Sequence, residues 1–166
     1  TGTVFFTPNA NTSGSATITV NVTDAGADGQ FGIVGGKNDD AVVSRQFTVT
    51  VLPVNDPPRF SLPASLSVNE DSGQTILTFV TGIDSGPNES EARDPFVVTT
   101  DNSFFSVPPT IDPQGQLTFT PALDISGKAA VNVSLRDQGG TANGGVNQTD
   151  KVCLLYTSDA ADDQAC

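Results

Sequence analysis

The chain has 166 residues, 36% of them hydrophobic, a size that suits one ordinary domain or two small ones. Its net charge of −12 makes nucleic acid and anionic membrane surfaces poor partners and makes cations good ones. It contains no histidine, and it has no apolar run of about eighteen residues that could span a membrane.

The first residues, "TGTVFFTPNA", lack the basic start and the apolar core of a secretory signal. They already have the pattern of a strand, so we interpret the chain as a fragment of a longer protein. Residues 1–53 are predicted to be the last three strands of a β domain. The clearest of the three is "RQFTVTV", in which Phe47, Val49 and Val51 alternate with polar residues.

A long glycine-rich loop, "DAGADGQFGIVGGKNDD", precedes that strand at residues 24–40. Its Asp24, Asp28 and Gly29 suit a calcium loop, but the regular acidic spacing and the closing glutamate of an EF-hand are missing. The "GIVGG" run lacks the strand-to-helix context of a phosphate-binding loop. We interpret the whole segment as a flexible excursion between two strands.

The "RQFTVTV" strand runs into "LPVNDPPRF", residues 52–60. Proline lacks a backbone donor and fixes φ, so Pro53, Pro57 and Pro58 should end sheet pairing and stiffen the chain. Residues 54–58 are therefore predicted to be a linker, with Asn55 and Asp56 in the gap between two domains. Their oxygens could bind Ca²⁺, which takes about six to eight oxygen ligands. The alternative is that the segment is only a good turn.

Residues 59–152 show short strand patterns separated by turn residues, as an all-β sandwich requires. No stretch has sustained helical periodicity. Asp112-Pro113-Gln114-Gly115 is predicted to be a turn. The predicted strands are 64–69, 75–80, 95–100, 103–107, 116–120 and 129–136.

The tail "KVCLLYTSDAADDQAC" contains both cysteines and the single tyrosine. Within it, "CLLYTSDAAD" (153–162) resembles the translation of the transposase-end adapter used in short-read sequencing. We interpret residues 153–166 as adapter-derived and exclude them from functional reasoning, as an expression tag would be. The domain at 59–152 would then lack its native last strand, although "KVCLLYT" is apolar and long enough to lie in that place.

An internal repeat relates the two halves of the chain. Residues 2–26 align without gaps to residues 115–139, an offset of 113, and ten of the 25 positions are identical. Substitutions keep the apolar pattern, as with Ile18 against Val131. The chain is therefore predicted to hold the back half of one repeat, a linker and most of a second repeat.

Three motifs in order resemble a known family, and these are "VNDPPRF", "SVNEDSG" and "FTPALDISGKAAVNVSLRDQGGTANGGV". They are similar to the bacterial tandem immunoglobulin-like, cadherin-like repeats of large secreted or surface-anchored adhesins, and the resemblance covers residues 1–152. It implies sandwich domains joined end to end with calcium at the joints, an extracellular or cell-surface location, and a role in cell adhesion, biofilm or matrix. The implied partners are neighbouring repeats of the same chain and an adhesion ligand, protein or glycan.

The resemblance and the sandwich topology assign candidate calcium ligands to the two ends of each domain. We call the end of the second domain that faces residues 54–58 its upstream pole. Asp137, in the last loop, should lie at this pole and face Asn55 and Asp56. The 82–94 loop shares the pole and is interpreted as a solvated polar loop, with the acids Asp84, Glu89 and Glu91.

The other candidate ligands point away from this joint. Glu70 and Asp124 should lie at the opposite, downstream pole of the second domain, and Asp24 should face a domain before the first. From the first domain, by contrast, the loop at 8–14 should face the joint at 54–58, and it offers Asn11, a weak ligand, where the second copy has Asp124.

Several positions depart from the cadherin pattern. Pro53 stands where an acid is usual, Pro57 stands where Asn is usual, and Ile125 and Ser126 replace an acidic pair. Fewer ligands predict fewer or weaker ions, with dissociation constants of about 10⁻⁴–10⁻³ M.

Catalysis is not predicted. The chain has no histidine, no cysteine outside the tail and no serine in a nucleophile-elbow context, which disfavours triad and thiol chemistry. A carboxylate pair for glycoside hydrolysis would need a deep cleft, which a small two-sheet domain seldom has. Two alternatives stay open, a passive β-sandwich spacer and a carbohydrate-binding module in a large secreted enzyme. The carbohydrate reading is disfavoured because residues 1–152 contain no Trp or Tyr.

Overall fold

A computed structural model describes residues 2–26, 29 and 41–158, and these residues are almost entirely β-strand and connecting loops. The chain divides into two compact units, a first unit, Thr1–Pro53, and a second unit, Val54–Cys166. The described part of the chain contains no helix with the length and apolar character needed to cross a lipid bilayer. Its strands are β1 (Gly14–Thr23), β2 (Val42–Val51), β3 (Arg59–Ser61), β4 (Ser65–Asn69), β5 (Thr75–Thr78), β6 (Thr81–Asp84), β7 (Val97–Thr99), β8 (Phe105–Ile111), β9 (Gln116–Pro121), β10 (Gly127–Arg136) and β11 (Gln148–Ser158).

The first unit is a two-stranded antiparallel sheet of β1 and β2, with Ile18 opposite Phe47. Three strands were predicted here, and the first of them is not formed: residues 2–8 are not in a strand. Their counterpart in the second unit, β9, is hydrogen-bonded on both edges, to β5 and to β8. Most of the 24–40 excursion, including Asp28 and Asp39, lies outside the described residues.

The second unit contains a four-stranded sheet in the order β4-β11-β10-β7 and a three-stranded sheet in the order β5-β9-β8. A short third pair joins β3 to β6. All pairings are antiparallel except that of β4 with β11, in which Leu66 lies opposite Leu155. The chain therefore uses an early strand to extend the edge of its last strand.

One hydrophobic core holds these sheets together. Alternate residues of β10 point into it, as the two-residue period of a strand requires. Phe119 is 0% exposed, and its ring packs edge-on against that of Phe105 at 5.7 Å between centroids. The buried core residues are Phe60, Phe79, Val80, Phe105, Ile111, Leu117, Phe119, Ala129, Val131, Val133, Leu135, Cys153 and Leu155.

Two predicted strands have different boundaries in the structure. The predicted strand at 75–80 ends at Thr78 as β5, because the amides of Phe79 and Val80 both donate to the Gly115 carbonyl (2.9 Å each). β6 follows at 81–84, where the first residues of the predicted 82–94 loop are in a strand. The predicted strand at 103–107 begins as a 3₁₀ turn, Asn102–Phe104, before β8. Strand β3 was not predicted. The turn at 112–115 is confirmed, with the Gly115 amide donating to the Asp112 carbonyl at 2.9 Å.

The last strand crosses the boundary that the sequence placed at residue 152. β11 runs from 148 to 158, pairing with β10 along its length and with β4 over 154–158. Cys153, Leu155 and Thr157 are buried, so the apolar alternation of "KVCLLYT" lets it lie in the place of a seventh strand. Residues 159–166 lie outside the described residues.

Candidate functional site

Asp137, the residue after β10, is an acidic residue whose side chain is buried in the second unit. It is 1% exposed although it is an acid. Its Oδ1 accepts hydrogen bonds from the Gly139 amide and from Asn55 Nδ2, both at 3.0 Å. Its Oδ2 is buried and accepts no hydrogen bond from any residue that the structure describes. A buried carboxylate oxygen without a partner destabilises the fold, so this atom needs an explanation.

Asn55 is fixed on the loop that follows Asp137. Its side-chain amide also donates to the Val146 carbonyl at 2.6 Å, and its own carbonyl accepts from the Val146 amide at 2.9 Å. A Cβ on Gly139 would lie 1.6 Å from Asn55 Oδ1, so only glycine permits this close approach. The structure thus places Asn55 and Asp137 in direct contact, with Asn55 as a hydrogen-bond donor to the carboxylate.

Asp56 is held from the opposite side by the 82–94 loop. Its amide donates to both carboxylate oxygens of Glu89, at 2.9 and 3.2 Å. A Cβ on Gly86 would lie 2.4 Å from Glu89 Oε2 and 3.1 Å from the Asp56 carbonyl oxygen, so the loop backbone passes close to the linker. Glu89 is half-buried and bound to the linker, which differs from the predicted solvated loop.

The other acids of this loop have local partners. Asp84 Oδ1 accepts from the Gly86 amide at 2.8 Å, and Glu91 Oε2 accepts from the Ser90 amide at 3.0 Å. Glu91 is exposed, as predicted for a solvated loop residue. Arg93 pairs in an isolated antiparallel bridge with Asp137, which attaches the end of the loop to the site.

The downstream candidates do not form an equivalent arrangement. The Asp124 amide donates to Asp71 Oδ1 at 3.3 Å, and Asp124 itself is exposed with a φ of 56°. The Glu70 amide donates to the Ser158 carbonyl at 3.1 Å, which ties this end of β4 to β11. Asp71, which the sequence analysis did not select, is therefore the acid that connects the two downstream loops.

Asp24, in the first unit, forms the same local turn as Asp137. Its Oδ1 accepts from the Gly26 amide at 2.6 Å, and its own amide donates to the Ala41 carbonyl at 2.9 Å. Its side chain is exposed, whereas that of Asp137 is buried. The turn is therefore a property of the repeated sequence, and the burial is not. Asn11, also exposed, has a φ of 52°.

The acidic side chains of the upstream pole supply carboxylate oxygens, the atoms that calcium prefers as ligands. These oxygens are the unpartnered Asp137 Oδ2 and the carboxylates of Asp56 and Glu89. Within residues 2–26, 29 and 41–158, however, no three His, Cys, Asp or Glu side chains lie close enough together to hold a metal ion. The type of donor atom thus fits calcium, but these three carboxylates do not form one ligand cluster, and most ligands of an ion here would have to be backbone oxygens or water.

Comparison with known proteins adds no relative to this picture. No protein-family model, no curated protein and no solved structure matches the chain.

Proposed function

We propose that the chain is a non-catalytic, calcium-stiffened repeat of a large cell-surface adhesin, with the immunoglobulin-like, cadherin-like sandwich as its domain. The strand order supports this fold. An immunoglobulin-type sandwich has its third, sixth and seventh strands in one sheet and the other four in the second sheet. The order β7-β10-β11 matches the third, sixth and seventh strands, and β3-β6 with β5-β9-β8 matches the other four when β5 and β6 count as one strand. β4 is an additional strand, which pairs in parallel with β11.

The observation that carries the calcium proposal is the unpartnered Asp137 Oδ2. A buried carboxylate with one free oxygen is tolerated when that oxygen has a function, and a divalent cation would satisfy both its charge and its lone pairs. The linker supports the same reading because Asn55 contacts Asp137 and the Asp56 amide is bound by Glu89. An ion at this pole would reinforce a segment that is already attached on two sides.

The net charge of residues 1–152, which is −9 from 16 acidic and seven basic side chains, supports the same choice of ligand. Acidic side chains close to one another repel, and a divalent cation relieves that repulsion. In this proposal the partners are neighbouring repeats and an adhesion ligand, and the location is extracellular, where millimolar calcium suits a site of about 10⁻⁴ M affinity.

The proposal is tested by calcium titration of the full chain, followed by isothermal calorimetry and thermal unfolding. For a site of about 10⁻⁴ M affinity, 1 mM calcium stabilises the folded state by about 1.4 kcal/mol. For a unit of this size, that should raise the Tm of the second unit by roughly 5–10 °C.

Three variants locate the effect. Asp137→Asn keeps an acceptor for Gly139 and Asn55 but removes the charge, so it should abolish the calcium-dependent rise. Glu89→Gln should reduce the rise, whereas Glu91→Gln, the same change in an exposed side chain of the same loop, should leave it intact. If calcium changes neither heat nor Tm in the unaltered chain, the calcium proposal fails and the passive spacer becomes the better description.

A further inference from the structure

One face of the β1–β2 sheet is apolar and, among the residues that the structure describes, only partly covered, because Ile18, Val20, Val49 and Val51 are half-buried and the others are exposed. Cross-strand pairing places Ala16 with Val49, Ile18 with Phe47, and Val22 with Val43 on the same side. We call these six residues, with Val20 and Val51, the apolar face of the first unit; Arg45, which pairs with Val20, lies on the same side and is the one charged residue of β1 and β2. Val22 is 61% exposed and Phe47 is 42% exposed. The opposite face carries Ser, Thr, Asn and Gln, apart from Val42 at one end, so the sheet has the two-sided pattern of a core-facing layer.

The second unit shows what covers the same surface in the other copy of the repeat. The counterparts of Ile18, Val20 and Val22 are Val131, Val133 and Leu135, which are 2%, 0% and 2% exposed. They lie in one core with Phe60, Phe79, Val80, Phe105 and Ile111, all of which come from residues 59–111.

Residues 2–8 give a second, independent observation on what could pack against the first unit. Phe6 is 61% exposed, whereas its counterpart Phe119, in β9, is 0% exposed. β9 receives its hydrogen bonds from β5 and β8, which also belong to the 59–111 segment. A segment that supplied two such strands would both cover the apolar face and give residues 2–8 their partners.

We propose that the apolar face of the first unit is an interface for a β-sheet segment built like residues 59–114 of this chain. The occupant has the chemistry of β3 and β5–β8, with inward phenylalanines and with strand edges that can pair with residues 2–8. Covering the face removes the exposed Val22, Val43 and Phe47 side chains from water, and removal of apolar surface from water is the main driving force for sheet packing. This inference does not depend on calcium.

The experiment extends the full chain with the proposed occupant. A copy of residues 59–114 is placed directly before Gly2, which reproduces the junction between 114 and 115 because Gly2 aligns with Gly115. Hydrogen exchange of 14–23 and 42–51 should slow by about 100-fold or more, since these strands would join a cooperative core. The second unit is the internal reference, and its exchange should stay the same.

Two substitutions in the extended chain test whether slower hydrogen exchange of β1 and β2 results from packing on the apolar face. Phe47→Asp, on the apolar face, should remove the new protection, and Thr48→Asp, on the polar face, should retain it. Unchanged exchange of β1 and β2 in the extended chain would overturn the proposal.

A second copy of the chain is the competing occupant. Sedimentation of the unextended chain tests it, and a monomer at working concentrations is expected. A dimer that protects β1 and β2, and that Phe47→Asp dissociates, would overturn the proposal in favour of self-association. Loss of the calcium effect alone would leave this inference standing, because its measurement concerns only the first unit.

Discussion

The two copies of the internal repeat have the same apolar pattern and opposite environments. Residues 115–139 supply two central strands of a packed core, and residues 2–26 supply one strand of an open sheet. Phe119 is 0% exposed and Phe6 is 61% exposed, although both come from the sequence "FTP". Local sequence therefore fixes which side of a strand is apolar. Burial depends on whether other segments cover that side.

The turns at Asp24 and Asp137 also differ in burial. In both copies an Asp after the strand accepts a hydrogen bond from the amide of the glycine two residues later. Only Asp137 is buried, because Asn55 contacts its Oδ1 and residues 145–147 pack beside it. A candidate site thus arises in the copy that has a preceding linker folded against it.

The largest expected effect comes from matched truncations of the two phenylalanines. Phe119→Ala leaves a cavity in the core and should cost about 3–5 kcal/mol of the free energy of unfolding of the second unit. Phe6→Ala removes an exposed ring and should change stability by less than about 0.5 kcal/mol. Chemical denaturation followed by hydrogen exchange measures both values. Similar losses for the two substitutions would contradict the difference in packing.

A smaller effect is expected where Gly139 contacts Asn55. An alanine at 139 would displace the Asn55 side chain, which then loses its hydrogen bonds to Asp137 and Val146, at a cost of about 1–3 kcal/mol. The loss should occur through Asn55, so Gly139→Ala should cost much less in an Asn55→Ala background. A double-mutant cycle of unfolding free energies measures this coupling. Additive effects would show that Asn55 is not fixed by this loop.

Gly26 is the counterpart of Gly139 in the first unit, and replacing it with alanine should destabilise the fold for a different reason. Gly26 has a φ of 63°, a conformation that favours glycine. Gly26→Ala should therefore destabilise its own turn by about 1 kcal/mol through backbone strain.

The smallest expected effect is a pH dependence on the exposed β10–β11 surface. The Ser134 hydroxyl and then Gln148 donate hydrogen bonds to Asp150 and hold the pKa of that carboxyl below its usual range. A lowered folded-state pKa stabilises the fold above the ordinary aspartate pKa of about 4, and the contribution is lost as pH falls through the folded value. Ser134→Ala should raise the pKa of Asp150 towards the ordinary value, as measured by NMR titration.

The first unit provides the control for this titration. At the matching register, Ser44 donates to Asn21 Oδ1 at 2.6 Å, and neither side chain titrates. The Ser44–Asn21 pair should therefore contribute no pH dependence to the stability of the β1–β2 sheet at acidic pH. An Asp150 pKa that stays low in Ser134→Ala would assign the shift to another group.

Much of the fold was predictable because its signals are local. The alternation in "AAVNVSLR" predicted a strand at 129–136, and β10 runs from 127 to 136. The Asp112–Gly115 turn followed from its proline and glycine. The predicted strand at 75–80 ends at Thr78 because the amides of its last two residues donate to the Gly115 carbonyl. Gly115 lies 35 positions after Val80 in the sequence. No window around 75–80 contains that information.

The candidate site was predictable in part for the same reason. The family resemblance and the sandwich topology together predicted that Asp137 and Asn55 would share a pole, and the structure places their side chains 3.0 Å apart. The contact between Glu89 and the Asp56 amide was missed, because a loop acid has no sequence signal for its backbone partner. The sequence also could not indicate that Asn55 would act as a hydrogen-bond donor.

The sequence by itself determined the all-β character, the faces of the strands and the repeated Asp-Gly turn, because each depends on residues within a few positions of one another. The tertiary structure alone decided that Phe119 and Asp137 are buried while Phe6 and Asp24 are exposed. Burial is set by chain segments far away in sequence, such as β5 and β8 around β9 and the linker around Asp137. Two copies of one pattern therefore differ in burial through their neighbours, and we expect them to differ in stability for the same reason.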